Sequence, residues 1–323
     1  MYDKYFKPGG PIFFYFGNED FVDLYVNHTG LMWENAEEFG AALVFAEHRF
    51  YGDSKPFPEG TDKCLNWLTT EQAMADFAQL IDHLKTSEDR FSKAAVVGFG
   101  GSYGGMIGAW FRIKYPNAVD GVIAASAPIW SFTGLDPPYD PQAFSEGVTH
   151  DLSKNGGNPT DDCKKNLHAA YPLMQAAGAT KEGRAMLSQT FKTCHPLESE
   201  EDVAGLIQWA QGPFANMAMG NYPYPSTYLM HGKSFLPAWP MRVACKALAT
   251  PGMKGTALFE GVREALSVQL NNTGTATCYY NNDEAEMRAT LLPNETMSQV
   301  YGKRVRMAGK KMTDSRESLA SRL

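Results

Sequence analysis

No stretch of about 18 apolar residues occurs in the chain, which excludes a membrane-spanning helix. The opening, Met1-Tyr2-Asp3-Lys4-Tyr5, has no apolar core and is not a signal peptide. C-x-x-C is absent, so the five cysteines do not have the spacing of a zinc site, and no metal or other cofactor is implied. There is no internal repeat. Basic charge is scarce outside the last segment. Gly302 to Leu323 carries seven basic and two acidic residues, net +5, which leaves −12 on the rest of a chain whose total is −7. An acidic body argues against a nucleic-acid partner.

What remains describes an ordinary globular protein. A length of 323 residues allows one or two domains with a sizeable core, and 44% hydrophobic against 20% charged residues is typical. Asn27, Asn271 and Asn294 head N-x-S/T sequons, which are glycosylation acceptors in the secretory route. Cys163, Cys194, Cys245 and Cys278 fall in the second half, where a disulfide framework would suit the same route. The odd number leaves one cysteine over, with Cys64 the candidate. Five buried thiols in a cytosolic protein are the alternative.

The chain is organised around Val96-Val97-Gly98-Phe99-Gly100-Gly101-Ser102-Tyr103-Gly104-Gly105-Met106. The apolar run Ala94 to Val97 reads as a buried strand, and Met106, Ile107, Trp110 and Phe111 follow at helical spacing. Between them, Gly100-x-Ser102-x-Gly104 fits the G-x-S-x-G nucleophile elbow. There a serine sits on a strained strand-to-helix turn, and its neighbours two residues away must be small. The helix that follows aims its N–H groups at the oxygen that becomes negative in acyl transfer. An idle serine in a glycine-rich turn is the bland alternative.

Other strands are expected at Pro11 to Phe16, Ala41 to Phe45 and Val119 to Ala125. Leu31 to Phe39 has helix-forming composition. Thr69 and Gln72 have the spacing of a capping box ahead of the stripe Ala73, Phe77, Leu80, Ile81 and Leu84. Alternating strands and helices imply a mostly parallel sheet covered on both faces. Asn18-Glu19, His48-Arg49, Ser102 and Pro128 each follow a strand and should share one rim. Past Pro128 the character changes, and Asp136-Pro137-Pro138-Tyr139-Asp140-Pro141 reads as a connection out of the sheet. Helices are expected over Asp161 to Ala177, Val203 to Ala210 and Thr256 to Leu270, with no β alternation.

Six blocks in order are similar to the S28 serine peptidases, the family of lysosomal Pro-X carboxypeptidases and dipeptidyl peptidase II. They are Phe16-Gly17-Asn18-Glu19, Glu47-His48-Arg49-Phe50-Tyr51-Gly52-Asp53-Ser54, Leu68-Thr69-Thr70-Glu71-Gln72-Ala73, the elbow itself, Ala124-Ala125-Ser126-Ala127-Pro128-Ile129-Trp130, and Pro237-Ala238-Trp239-Pro240 before Cys245. The resemblance covers roughly Gly9 to Tyr280. It implies an α/β-hydrolase core over residues 1–134 and a helical cap insertion over 135–290, while residues 291–323 read from their composition as a basic, disordered tail. It implies cleavage of peptide substrates beside proline or a small residue near a terminus, and a lysosomal or secreted location. It pairs Cys163 with Cys245 and Cys194 with Cys278. Ser102 matches the nucleophile. The N–H of Tyr103 is the expected oxyanion donor, with a second from the loop near Asn18. Glu19 is a candidate to bind a substrate amine or brace its loop, and Met106 a candidate to line a proline pocket.

Two departures stand out. Asp20 replaces the glycine usual after Asn-Glu. The family's acid segment, Asn-Gly-x-x-Asp-Pro-Trp, and its base segment, His-His-x-x-Asp-Leu-Arg, are both missing, as are the C-terminal core strands that would carry them. The chain therefore reads as incomplete. His48 lies on the right rim, but with Glu47 and Arg49 it reads first as a structural network. An esterase or lipase on the same fold, and a non-catalytic remnant, stay open as alternatives. The oligomeric state is open too, a homodimer being one candidate.

Overall fold

The computed structural model describes residues 1–56, 62–132 and 134–282. The chain divides into two compact units, one of Met1–Tyr139 and one that starts at Asp140.

The first unit is built on four parallel strands, β1 (Ile12–Phe16), β2 (Ala42–Ala46), β3 (Val96–Gly101) and β4 (Gly121–Ala125), in the order β2-β1-β3-β4. Helices α1 (Val22–His28) and α2 (Gly30–Phe39) join β1 to β2, α3 (Thr70–Ser87) joins β2 to β3, and α4 (Ser102–Lys114) joins β3 to β4. The Ile-Phe-Phe-Tyr-Phe run of β1 is apolar at every position because both its faces are covered. Ile12, Phe14 and Phe16 are buried with Phe77 and Ile81 of α3 and Ile107 and Phe111 of α4. On the opposite face Phe13 meets Phe39 of α2, and Tyr15 stacks on Tyr25 of α1. This is the sheet of an α/β-hydrolase core.

Parallel pairing with Phe16 opposite Ala46, Tyr15 opposite Phe99, and Gly101 opposite Ala125 brings all four C-terminal ends to one rim. The chain leaves β1 toward β2 on one side and β3 toward β4 on the other. The order thus reverses between β1 and β3, where ligands bind in open parallel sheets. The Thr69 side chain accepts the Gln72 N–H and starts α3. Residues 22–28 are given no element by the sequence reading, yet they form α1. The reason is remote: the Val22 N–H at the start of that helix donates to Glu47 Oε1, 25 residues away.

The second unit is helical. It comprises α5 (Ala143–Asp151), α6 (Asp162–Gly178), α7 (Lys181–Phe191), α8 (Glu200–Met219), α9 (Pro240–Cys245) and α10 (Gly255–Leu270). Among its described residues strand pairing is confined to isolated bridges such as Ser226 with Leu236. Disulfides join Cys163 to Cys245 and Cys194 to Cys278. Their loops of 82 and 84 residues are long enough to restrict the unfolded chain substantially. Helix α8 runs well beyond the stretch expected from sequence, through Gly212 and Pro213. Burial of Leu206, Ile207, Ala210, Phe214 and Met217 outweighs the poor propensity of those two residues. Its N-terminus is fixed by reciprocal bonds between Ser199 and Asp202. Among the described residues no helix is long and apolar enough to cross a membrane.

Candidate active site

Strand β3 turns into α4 at Ser102, whose φ of 53° lies in the left-handed region that a side chain avoids. Such a residue costs roughly 1–3 kcal/mol and persists only where its surroundings enforce it. The enforcement is visible. A Cβ at Gly100 would fall on the backbone of Gly104, and one at Gly104 would fall on the Phe16 carbonyl and the Asn18 side chain. The two glycines of G-x-S-x-G are therefore places where α4, β3 and the loop after β1 touch backbone to backbone. Gly101, at a variable x position of that motif, faces open space. Ser102 is exposed on the resulting point, and Tyr103 belongs to the first turn of α4, where N–H groups leave the helix end.

Asn18 is buried and bonded in two directions. Its Nδ2 donates to the Gly101 carbonyl at 2.6 Å, and its Oδ1 accepts the Tyr15 hydroxyl at 3.0 Å. The side chain thus ties the loop after β1 to the residue immediately before Ser102. The neighbouring Glu19 has one carboxylate oxygen, Oε2, buried without a hydrogen-bond partner. Burial raises its pKa, partly offset by its own backbone N–H and by the Asn18 side chain. Met106 lies half-buried in the second turn of α4.

His48 follows β2 and is 1% exposed. Its Nδ1 lies 2.8 Å from the Arg49 carbonyl, which can only accept, so Nδ1 carries the proton. Nε2 is then the acceptor, and the Tyr103 hydroxyl donates to it at 3.2 Å. Having given away its proton, Tyr103 receives one from Thr70 Oγ1 at 2.9 Å. Desolvation pushes the His48 pKa down to about 4. Both nitrogens are engaged away from Ser102, and the ring is neutral at ordinary pH. His48 holds the Tyr103 side chain and does not serve Ser102 as a base.

Around this ring the sequence motif Glu47-His48-Arg49 is fully employed. Arg49 makes a two-pronged pair with Asp76, both contacts at 2.6 Å, and also reaches Gln72. Glu47 accepts from Val22 through one oxygen and from the N–H groups of Asp53 and Ser54 through the other. Asp76 escapes notice in the sequence. The clue to it is that Gln72 and Asp76 stand four apart on α3, on one helix face beside the apolar stripe.

Among the described residues the Ser102 hydroxyl has no hydrogen-bond partner, and no cluster of His, Cys, Asp and Glu is arranged to hold a metal. Asn27 is exposed on α1, while the Asn271 side chain accepts the Ala276 N–H at the end of α10. Asn294, the basic tail and the Cys64 side chain lie outside the described residues.

The family model for serine carboxypeptidase S28 matches residues 1–310. The chain belongs to the S28 family. It is similar to the lysosomal Pro-X carboxypeptidase of Homo sapiens, 42% identical over 280 residues, which are 85% of this chain and 54% of that protein. The lysosomal Pro-X carboxypeptidase of Mus musculus is 41% identical over 85% of this chain and 55% of its own length. Prolyl carboxy peptidase like protein 5 of Caenorhabditis elegans is 39% identical over 86% of this chain and 54% of its own. The S28 chain thus spans about half the length of these curated relatives.

Proposed function

We propose that this chain carries the nucleophile of a serine exopeptidase, Ser102, together with its oxyanion site. In this reading Ser102 Oγ attacks a peptide carbonyl, the C–N bond breaks, and the amine leaves with a proton. Water then releases the acyl group from the serine. The Tyr103 N–H, with a second donor from the loop at Asn18, steadies the negative oxygen. Loss of one such donor typically costs about 3 kcal/mol of barrier. In this reading Glu19, whose Oε2 lacks a partner, binds a substrate amine or braces its loop, and Met106 lines the pocket for proline. The names of the relatives support cleavage beside proline at a chain end and a lysosomal location. The sequons and disulfides are in keeping with that route.

The observation that carries this reading is an exposed Ser102 held at positive φ ahead of a helix N-terminus. A fluorophosphonate adduct should map by mass spectrometry to the Ser102 peptide and vanish in Ser102→Ala. A folded wild-type chain with no adduct, or one labelled equally in the variant, would overturn it. A test on p-nitrophenyl esters against Xaa-Pro peptides separates the esterase alternative, which requires turnover of esters alone.

One observation favours a second reading. No described histidine or carboxylate bonds the Ser102 hydroxyl. A serine without base and acid keeps only binding and oxyanion contributions, a loss of about 10⁴ to 10⁶ in rate. Under this reading, wild type and Ser102→Ala hydrolyse peptides at the same background rate.

A further inference from the structure

Tyr15 of β1 lies outside the six sequence blocks. It is 5% exposed, and its ring stacks on Tyr25 of α1 and Phe45 of β2. Its hydroxyl donates to Asn18 Oδ1. The direction of that bond is fixed. The Gly101 carbonyl can only accept, so the nitrogen end of the Asn18 carboxamide faces it and the oxygen end is left for Tyr15. That oxygen also lies where a Cβ of Gly104 would fall. The carboxamide is thus clamped between the residue before Ser102 and the residue two after it.

Planarity gives this clamp its leverage. The Gly101 carbonyl and the Ser102 nitrogen share one rigid peptide plane. A bond that holds the carbonyl therefore fixes ψ of Gly101 and φ of Ser102 together, here 151° and 53°. Turning that plane over would return Ser102 to negative φ and relieve its strain. Gly101 itself offers little resistance, because it has no side chain and the space at its Cβ position is empty. We propose that Tyr15 is a positioning residue for the nucleophile: through Asn18 it locks the Gly101–Ser102 peptide in the orientation that presents the Ser102 hydroxyl. The kinetic consequence rests on the reading of Ser102 as the nucleophile, whereas the lock itself does not.

Tyr15→Phe deletes the hydroxyl and keeps the stacked ring. Fluorophosphonate should label Ser102 about fivefold more slowly in this variant, the weight of one hydrogen bond, with the loss in the maximal rate and not in the concentration that half-saturates it. Because Tyr15 acts through Asn18, the same substitution in an Asn18→Ala background should change labelling by no more than about twofold. Asn18→Asp sets two acceptors face to face at the Gly101 carbonyl. It should label about tenfold more slowly at pH 7 and recover toward wild type as acid protonates the carboxyl, which can then donate. A tyrosine that only stabilised the fold would move the melting temperature without slowing the labelling of folded chain. The lock also has a readout that needs no reactivity. The Ser102 amide should give one NMR signal in wild type and a shifted, doubled or broadened one in Tyr15→Phe. An unchanged Ser102 signal in Tyr15→Phe overturns the lock, whether or not the serine reacts. Equal labelling of wild type and Tyr15→Phe, or a full Tyr15→Phe effect that persists without Asn18, overturns Tyr15 as the positioning residue. Wild type that takes no label sinks the nucleophile, and the NMR comparison still decides the lock.

Discussion

Replacing His48 by glutamine should change how the first unit responds to acid. In the folded chain the His48 pKa is about 4, against 6.5 for the free side chain, with desolvation the largest cause. The ring is enclosed by Tyr51, Phe77 and Tyr103, and the charges nearest it, Arg49 and Asp76, largely cancel by pairing. A depressed histidine pKa means that the unfolded chain binds the proton first. Above pH 6.5 the ring is neutral in both states and contributes nothing to the pH dependence. Between 6.5 and 4 the unfolded state gains protons alone, and stability falls with pH. The loss is about 2 kcal/mol at pH 5 and levels off at about 3 kcal/mol below pH 4. His48→Gln removes that titration. Urea denaturation at pH 7 and pH 5 should therefore show wild type losing about 2 kcal/mol more than the variant over this interval. Groups such as Glu19 titrate alike in both proteins and drop out of the difference. Identical pH dependence, or a His48 ring found charged by NMR at pH 5, would refute the reasoning.

Gly104→Ala sets a Cβ against the Phe16 carbonyl and Asn18 and should destabilise by about 2–3 kcal/mol, whereas Gly101→Ala meets nothing and should stay within about 0.5 kcal/mol, both by thermal denaturation. Asp76→Asn leaves Arg49 without its two-pronged partner. Because Asp76 is 41% exposed, the cost should be only about 1 kcal/mol, shrinking in high salt. Glu19→Gln removes a desolvated negative charge and should stabilise the chain at pH 7, by about 1 kcal/mol. The Glu19 pKa is raised, so the folded state holds its proton more tightly and ionisation is what costs stability. The variant's advantage should therefore fade as pH falls through the raised folded value and be gone below the unfolded value of 4.5.

The rim of the sheet was legible before any coordinates. Period and composition place four apolar runs as strands, and parallel order alone brings Asn18, His48, Ser102 and Pro128 to one edge. The elbow was legible because its glycines answer a local need, the passage of one backbone beside another. What stayed hidden depends on partners far away in sequence. Helix α1 starts on a carboxylate from the next strand's end. Helix α8 crosses a glycine and a proline because its other residues are buried, which no local propensity reports. The cysteine pairing did not follow from spacing and came only from the resemblance to the S28 family.

The residue that separates the two kinds of information is Tyr103. Its backbone has a role that the motif supplies, as the first amide after the nucleophile. Its side chain has another, unreadable from the motif, as the middle member of a chain from Thr70 to His48. A neutral His48 accepts the Tyr103 proton, and a charged one cannot. The same burial that removes His48 as a base therefore makes it a fixed acceptor that orients the residue beside Ser102. If this is so, His48→Gln should disturb fluorophosphonate labelling of Ser102 less than Ser102→Ala does, and Tyr103→Phe should disturb it to the same degree as His48→Gln. A much larger effect of His48→Gln than of Tyr103→Phe would mean that the ring acts on the serine by a route other than the tyrosine.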